Sequence, residues 1–155
     1  MRGRLTAVRR ATEAEAELLA GWHGDPEVSR YWDDETYTIA EIHGRLARPD
    51  VGSWIVETDE GPVGYLQSWW EDDPAVGGLD GFLIPSARGR GLMPDASRVL
   101  AEALLAAGWV SVTVDPYAWN ERAVRAWAKA GFVEVSRHDP DQEHSADWVL
   151  MRFLG

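Results

Sequence analysis

The 155-residue chain contains no cysteine, so disulfides, thiolate metal sites and a cysteine nucleophile are excluded by inventory. No apolar run approaches the length of a membrane span, and the opening Met1-Arg2-Gly3-Arg4-Leu5 lacks the apolar centre of a signal peptide; a cytoplasmic protein with no membrane role is expected. Positive charge is scarce. Lys and Arg number 15 against 26 Asp and Glu, a net charge of −11, which argues against nucleic acid as a partner and favours a cationic ligand. The four histidines, His23, His43, His138 and His144, show no ligand spacing such as His-x-x-x-His; they read as surface or loop residues and imply no metal. What is present is ordinary globular composition, 45% hydrophobic and 26% charged, expected to form one domain over residues 1–155 and to act as a monomer or homodimer.

The charges are segregated. Acidic residues gather in segments that look like loops: Asp25 and Glu27, Asp33-Asp34-Glu35, Glu71-Asp72-Asp73, and Asp139, Asp141 and Glu143. Arginines concentrate at Arg88, Arg90 and Arg98 and again at Arg122 and Arg125. One small basic region, suited to a phosphate-bearing group, therefore stands in an acidic remainder.

Helical and strand patterns alternate without repeats. Residues 5–9 read as a strand. Thr12 with Glu15, and Thr38 with Glu41, are capping boxes; Leu18, Leu19 and Trp22 form the buried stripe of the first helix and Ile39, Ile42 and Leu46 that of the second, with a helical piece over 26–32 between them. Residues 53–58 and 63–68 read as a β-hairpin through Asp59-Glu60-Gly61-Pro62. A strand over 79–84 leads through Arg88-Gly89-Arg90-Gly91-Leu92-Met93 into a helix with Pro94 at its first position and Gly108 at its end. Strand 109–114 follows, then a helix capped by Asn120 and stopped by Gly131, and closing strands at 132–137 and 148–153. The fold class is α/β (α+β), with a strand, helix, strand unit at 79–114 that implies parallel pairing and a right-handed crossover.

A glycine-rich turn opening a helix presents backbone N–H groups and a positive helix end to phosphate. Neither Gly-x-Gly-x-x-Gly nor a Gly-Lys-Ser/Thr phosphate loop is present. The run Arg88 to Met93, with Asn120-Glu121-Arg122-Ala123 and Lys129-Ala130-Gly131-Phe132 downstream, resembles the acyl-CoA core of the GNAT family of N-acetyltransferases, whose pattern is Gln/Arg-x-x-Gly-x-Gly/Ala. The resemblance implies a GNAT-type mixed central β-sheet flanked by about four helices, with acetyl-CoA as co-substrate. Pantetheine is then expected along Phe82, Leu83 and Ile84, and the pyrophosphate at Arg88, Gly89, Arg90, Gly91, Leu92 and Met93, with Asn120 and Arg122 nearby.

Gly64-Tyr65-Leu66-Gln67-Ser68, Trp70 to Pro74, Gly78-Leu79-Asp80 and Asp115-Pro116 look like the aminoglycoside 6'-N-acetyltransferase branch. Siderophore-type lysine acyltransferases share the layout and stay open as an alternative, as does a GNAT-like binding module without strong catalysis. Acetyl transfer needs a neutral amine, so a carboxylate must take the ammonium proton. By residue type alone, Asp80 after Gly77-Gly78 and Asp115 before Pro116 read equally as turn residues. The resemblance makes Asp80 the general base and Asp115 a carboxylate at the cleft edge for a second ammonium. An acceptor site is expected from Trp32, Gln67, Trp70, Asp72, Asp73, Asp80, Asp115 and Trp119, since aromatic faces interleaved with carboxylates suit a polycationic sugar. Trp69 is of the same kind, whereas Trp22, Trp54, Trp109, Trp127 and Trp148 read as core.

The chain departs from the family pattern in two ways. Met93 replaces a small residue, Pro94 removes an amide donor and Asp95 adds negative charge, all of which predict weaker CoA binding. Trp127 stands where a tyrosine often protonates the departing thiolate, leaving Tyr117 as a substitute.

Overall fold

A computed structural model describes residues 1–70, 73 and 75–155. Seven strands form one sheet in the order β1-β2-β3-β4-β5-β7-β6, with β1 Ala7–Arg10, β2 Val51–Thr58, β3 Gly61–Trp70, β4 Val76–Leu83, β5 Ser111–Val114, β6 Phe132–His138 and β7 Trp148–Phe153. Among the described residues only β4 and β5 pair in parallel; the other pairings are antiparallel. Five helices cover it: α1 Ala16–Gly24, α2 Pro26–Ser29, α3 Ile39–Leu46, α4 Leu92–Ala106 and α5 Glu121–Ala130.

Alternation along the strands builds two cores. On one face Leu66, Leu79 and Leu83 meet Ala96, Leu100 and Leu104 of α4 and Trp127 of α5. On the other, Ile55, Tyr65 and Phe82 meet Leu19, Val28 and Ile42 from α1, α2 and α3. Both capping boxes form, Thr12 through a 3-10 turn Glu13–Glu15 and Thr38 directly at α3. Leu18 and Ile39, expected in the buried stripes, are exposed instead, while Leu19 and Ile42 are buried.

Parallel pairing between β4 and β5 runs from Val76/Ser111 to Gly78/Thr113 and stops there, while β4 continues to Leu83. The strands splay beyond that point. Ile84 N–H donates to Val63 O, so the even-numbered backbone groups of β4 serve β3 and those of Leu79, Gly81 and Leu83 turn toward the splay. Of the three residues expected along pantetheine, Phe82 and Ile84 direct their backbone donors to β3 and Leu83 directs its own away from it. Asp80 lies within β4, well past its start at Val76, which removes the reading of Asp80 as a turn residue.

Gly89 (φ +77°) and Gly91 (φ +76°) take the left-handed backbone that only glycine adopts freely, turning successive amides to one side before α4. Helix α4 starts at Leu92, so Pro94 is its third residue rather than its first; the first-turn amides have no intrahelical partner in any case, and proline is tolerated there. Asp95 turns away from that turn. Its carboxylate accepts hydrogen bonds from Arg4 N and Leu5 N at 2.9 Å, Thr6 N at 2.9 Å and Thr6 Oγ1 at 2.8 Å. Residues 4–6 thus wrap Asp95, and the first strand begins at Ala7 instead of residue 5.

Candidate active site

A cavity of about 540 Å³ opens between the splayed strands and the α2–α3 connection. Six carboxylates line it, Asp33, Glu35, Asp50, Asp80, Asp115 and Glu143, with Trp32, Gln67, Trp69, Trp70, Tyr117, Arg45, Arg48 and His144 between them. Asp80 is paired in register with Gln67 and points from β4 to the cavity floor. Burial, followed by repulsion from Asp115 and Asp33, pushes its pKa up to about 7, against the opposing pull of His144 and the Trp69 indole. A carboxyl that exchanges its proton near neutrality is suited to general-base work.

Asp115 sits just past β5, where its Oδ2 lies 3.0 Å from His144 Nε2. His144 Nδ1 lies 2.9 Å from Asp141 Oδ1, and the ring stacks on Trp148 at 4.2 Å. Burial would lower the imidazole's pKa, but Asp141 and Asp115 outweigh it and hold it above the ordinary value. Opposite, Asp33 and Asp34 hold φ of 53° and 56°, a left-handed pair that costs roughly 1–3 kcal/mol per residue and is most tolerable for Asp and Asn. Asp34 N–H bonded to Ser29 O and Asp33 Oδ1 accepting from Tyr117 keep it there.

A second cavity, of about 270 Å³, is lined by Leu83, Arg88, Gly89, Gly91, Leu92, Met93, Pro94, Asn120, Arg122, Arg125 and Lys129. It shares Tyr31, Gly81, Asn120 and Ala123 with the first, so the two meet at the β4 backbone where the sheet opens. The glycine turn is unobstructed: a Cβ added at Gly89 meets nothing within 4 Å. Open left-handed amides beside a helix start, with cationic side chains around them, fit the diphosphate of a coenzyme A thioester.

Most of the sequence-derived residues converge on these cavities, with informative exceptions. Trp32, Gln67, Trp70, Asp80 and Asp115 line the first; Phe82, Leu83, Arg88, Gly89, Gly91, Leu92, Met93, Asn120 and Arg122 line the second. Ile84 and Arg90 line neither; Arg90 pairs with Glu60 at 3.2 Å. Arg88 points inward, with Nε 3.1 Å from Leu83 O and Nη2 2.5 Å from Glu27 O, so it clamps β4 to α2. Trp119 is exposed and stacks between Tyr117 and Tyr31 outside both cavities. Asp73 accepts from Ala75 N–H and lines neither, while Asp72 lies outside the described residues.

Two histidines correct the surface reading. His144, 9% exposed, lines the first cavity. His23 is fully buried among Trp32, Tyr37, Tyr65 and Phe82; burial and the Arg45 guanidinium push its pKa down to about 4. Its Nε2 lies 3.3 Å from Arg45 Nη1 and steadies that guanidinium over the Tyr37 ring. The four-residue spacing of Leu19 and His23 on one helix face carried the signal for His23; His144 had none, being placed by a loop. Among the described residues no cluster of metal-ligating side chains occurs, and no helix is long and apolar enough to cross a membrane.

Residues 11–140 match the family described as acetyltransferase (GNAT) domain. Aminoglycoside N(6')-acetyltransferase type 1 from Klebsiella pneumoniae is 31% identical over 145 residues, covering 81% of this chain and 72% of that protein, and the protein of that name from Serratia marcescens matches equally. The solved structure of AAC(6')-Ib in complex with paromomycin and acetyl-CoA superposes with a TM-score of 0.82 at 27% identity, over 96% of this chain and 93% of the other.

Proposed function

The chain belongs to the GNAT acetyltransferase family, and on that footing we propose that it acetylates a primary amine of an aminoglycoside, of the 6'-N type, by direct transfer in a ternary complex. The observation that carries this reading is the junction at Gly81: a cavity walled by six carboxylates meets a phosphate-suited turn where β4 and β5 part. A polycationic acceptor gains Coulomb attraction from those carboxylates and apolar contact from Trp32 and Trp70.

Acetyl-CoA, when bound, supplies an activated acyl group on a thiol that leaves readily. The amides of Gly89, Gly91 and Leu92 and the side chains of Asn120 and Arg122 are the groups to hold it. Leu83 N–H, directed away from β3, is the donor for the thioester oxygen, and charge developing there in the transition state strengthens that bond. Asp80 accepts the proton that the acceptor ammonium must lose before its nitrogen lone pair can attack. Asp115 and Asp33 hold the remaining ammonium groups, so that the reacting amine is oriented as well as deprotonated.

The test is thiol release from acetyl-CoA with kanamycin or tobramycin as acceptor; the absence of turnover with every aminoglycoside tried rejects this acceptor class. A second reading has its own support. Arg45 lines the acceptor cavity and, among the described residues, forms no ion pair with a carboxylate, which favours an amine that carries its own carboxylate, such as a hydroxylated lysine. Turnover confined to such amino acids in the same panel selects it.

A further inference from the structure

We propose that His144 is a positioning residue for the transfer: it orients Asp115 and lends the cavity floor a positive charge that offsets one of its carboxylates. The proposal rests on Asp80 being the base, and goes beyond that reading by assigning a role to a side chain that acts through Asp115.

The geometry defines the charge. Nε2 lies 3.0 Å from Asp115 Oδ2 and Nδ1 lies 2.9 Å from Asp141 Oδ1. Ionised carboxylates only accept hydrogen bonds, so both ring nitrogens must donate, and an imidazole with two donors is an imidazolium. Asp141 is itself fixed, because the same Oδ1 accepts from the amides of Glu143 at 2.9 Å and His144 at 2.8 Å. The ring has little freedom to turn: it lies flat on Trp148 at 4.2 Å and 12°, meets the edge of Tyr117 at 6.0 Å, and is 9% exposed.

The groups facing it come from several elements. Asp115 approaches from the end of β5, Tyr117 from the loop after it, Asp141 and Glu143 from its own loop, and His138 of β6 stacks on the same Trp148. Asp80 on β4 and Asp33 beyond Tyr117 share the cavity. Two carboxylates at one floor raise each other's proton affinity, and a cation bonded to one relieves the other. Asp115 thereby stays aimed at the acceptor while Asp80 can still lose its proton near neutrality.

His144→Gln removes the charge and keeps a hydrogen-bonding side chain. With kanamycin as acceptor and acetyl-CoA saturating, the acidic limb of the kcat/KM profile is expected to move to higher pH by roughly half a unit to one unit. Asp141→Asn, which leaves the cavity carboxylates intact, moves it the same way by less. A purely structural His144 lowers thermal stability without moving the limb, so a folded His144→Gln protein with an unshifted profile overturns the proposal. The coupling is also read without any acceptor: carbon-13 titration of the Asp80 carboxyl in the unliganded protein is expected to shift upward in His144→Gln and in Asp141→Asn. No shift in that titration overturns the proposal even if aminoglycosides are not turned over, and a shift with no turnover rejects the acceptor class alone.

Discussion

The Tyr117 hydroxyl donates a 2.6 Å hydrogen bond to Asp33 Oδ1, joining the loop after β5 to the α2–α3 connection across the acceptor cavity. Burial, and then the Asp33 carboxylate, hold the phenol's pKa above its ordinary value. Its proton is therefore committed to Asp33, and it lines the acceptor cavity rather than the coenzyme one, which makes it a clasp and a poor proton source for a departing thiolate. Tyr117→Phe is expected to raise the acceptor KM about 3- to 10-fold, the net worth of one ordinary hydrogen bond, with kcat within about 2-fold. Steady-state kinetics at saturating acetyl-CoA decide it: a large fall in kcat at constant KM restores the acid role.

Asp80→Asn separates function from stability. Turnover is expected to fall by about 10²- to 10⁴-fold, the usual worth of a general base. Stability moves the other way. The folded-state pKa, about 7, lies above the ordinary carboxyl value, so the folded protein binds the proton more tightly than the unfolded chain, and stability falls as pH rises from about 4 to about 7. The asparagine cannot ionise and escapes that loss. Thermal melts at pH 5 and pH 8 check this: the Tm gain of the variant over the parent should be larger at pH 8, and a gain equal at both removes the electrostatic explanation.

Asp95→Ala removes the acceptor of four hydrogen bonds that hold residues 4–6. A loss of about 2–4 kcal/mol in stability is expected, with the KM for acetyl-CoA unchanged within about 2-fold. Burial opposes ionisation of Asp95, but its hydrogen bonds prevail and hold its pKa low. A depressed carboxyl pKa contributes stability above the unfolded value that disappears as pH falls through the folded one, so the gap between variant and parent should close in acid. Denaturant titration at pH 7 and pH 3 measures it; an increased KM for acetyl-CoA would tie Asp95 to the coenzyme after all.

Gly89→Ala and Gly91→Ala each force a Cβ into left-handed backbone, at a cost of about 1–2 kcal/mol. At Gly89 there is room for the methyl, so the turn must either bear the strain or open its amides. Acetyl-CoA binding by calorimetry is expected to weaken at least about 10-fold for Gly89→Ala. Unchanged affinity would mean that the amides of this turn do not grip the diphosphate.

Where local chemistry decides structure, the sequence could be read. The capping boxes at Thr12 and Thr38, the glycine stop at Gly131 and the hairpin through Gly61 all form because each is fixed by residues a few positions apart. The cavity residues Gln67, Asp80 and Asp115 came from family resemblance and Trp32 from its place beside an acidic segment, and they lie together in the fold. What escaped was set by distant partners. Asp95 reads as a helix-start charge until residues 4–6 fold over it, and His144 reads as a loop residue until β5 brings Asp115 alongside. Arg90 and Trp119 carry the right chemistry for a site, yet their side chains leave it, Arg90 for Glu60 and Trp119 for a stack with Tyr31 and Tyr117.

Three of the arginines near the glycine turn arrive already engaged, leaving Arg122 to meet the coenzyme. Arg90 holds Glu60 at 3.2 Å and Arg125 holds Glu121 at 3.1 Å, while Arg88 is spent on backbone carbonyls. An incoming anion at either pair swaps partners with a tethered glutamate instead of shedding mobile counter-ions from bare cations. Capture of the donor thereby leans on rigid peptide dipoles, and its affinity declines less with added salt than the tally of guanidinium groups suggests.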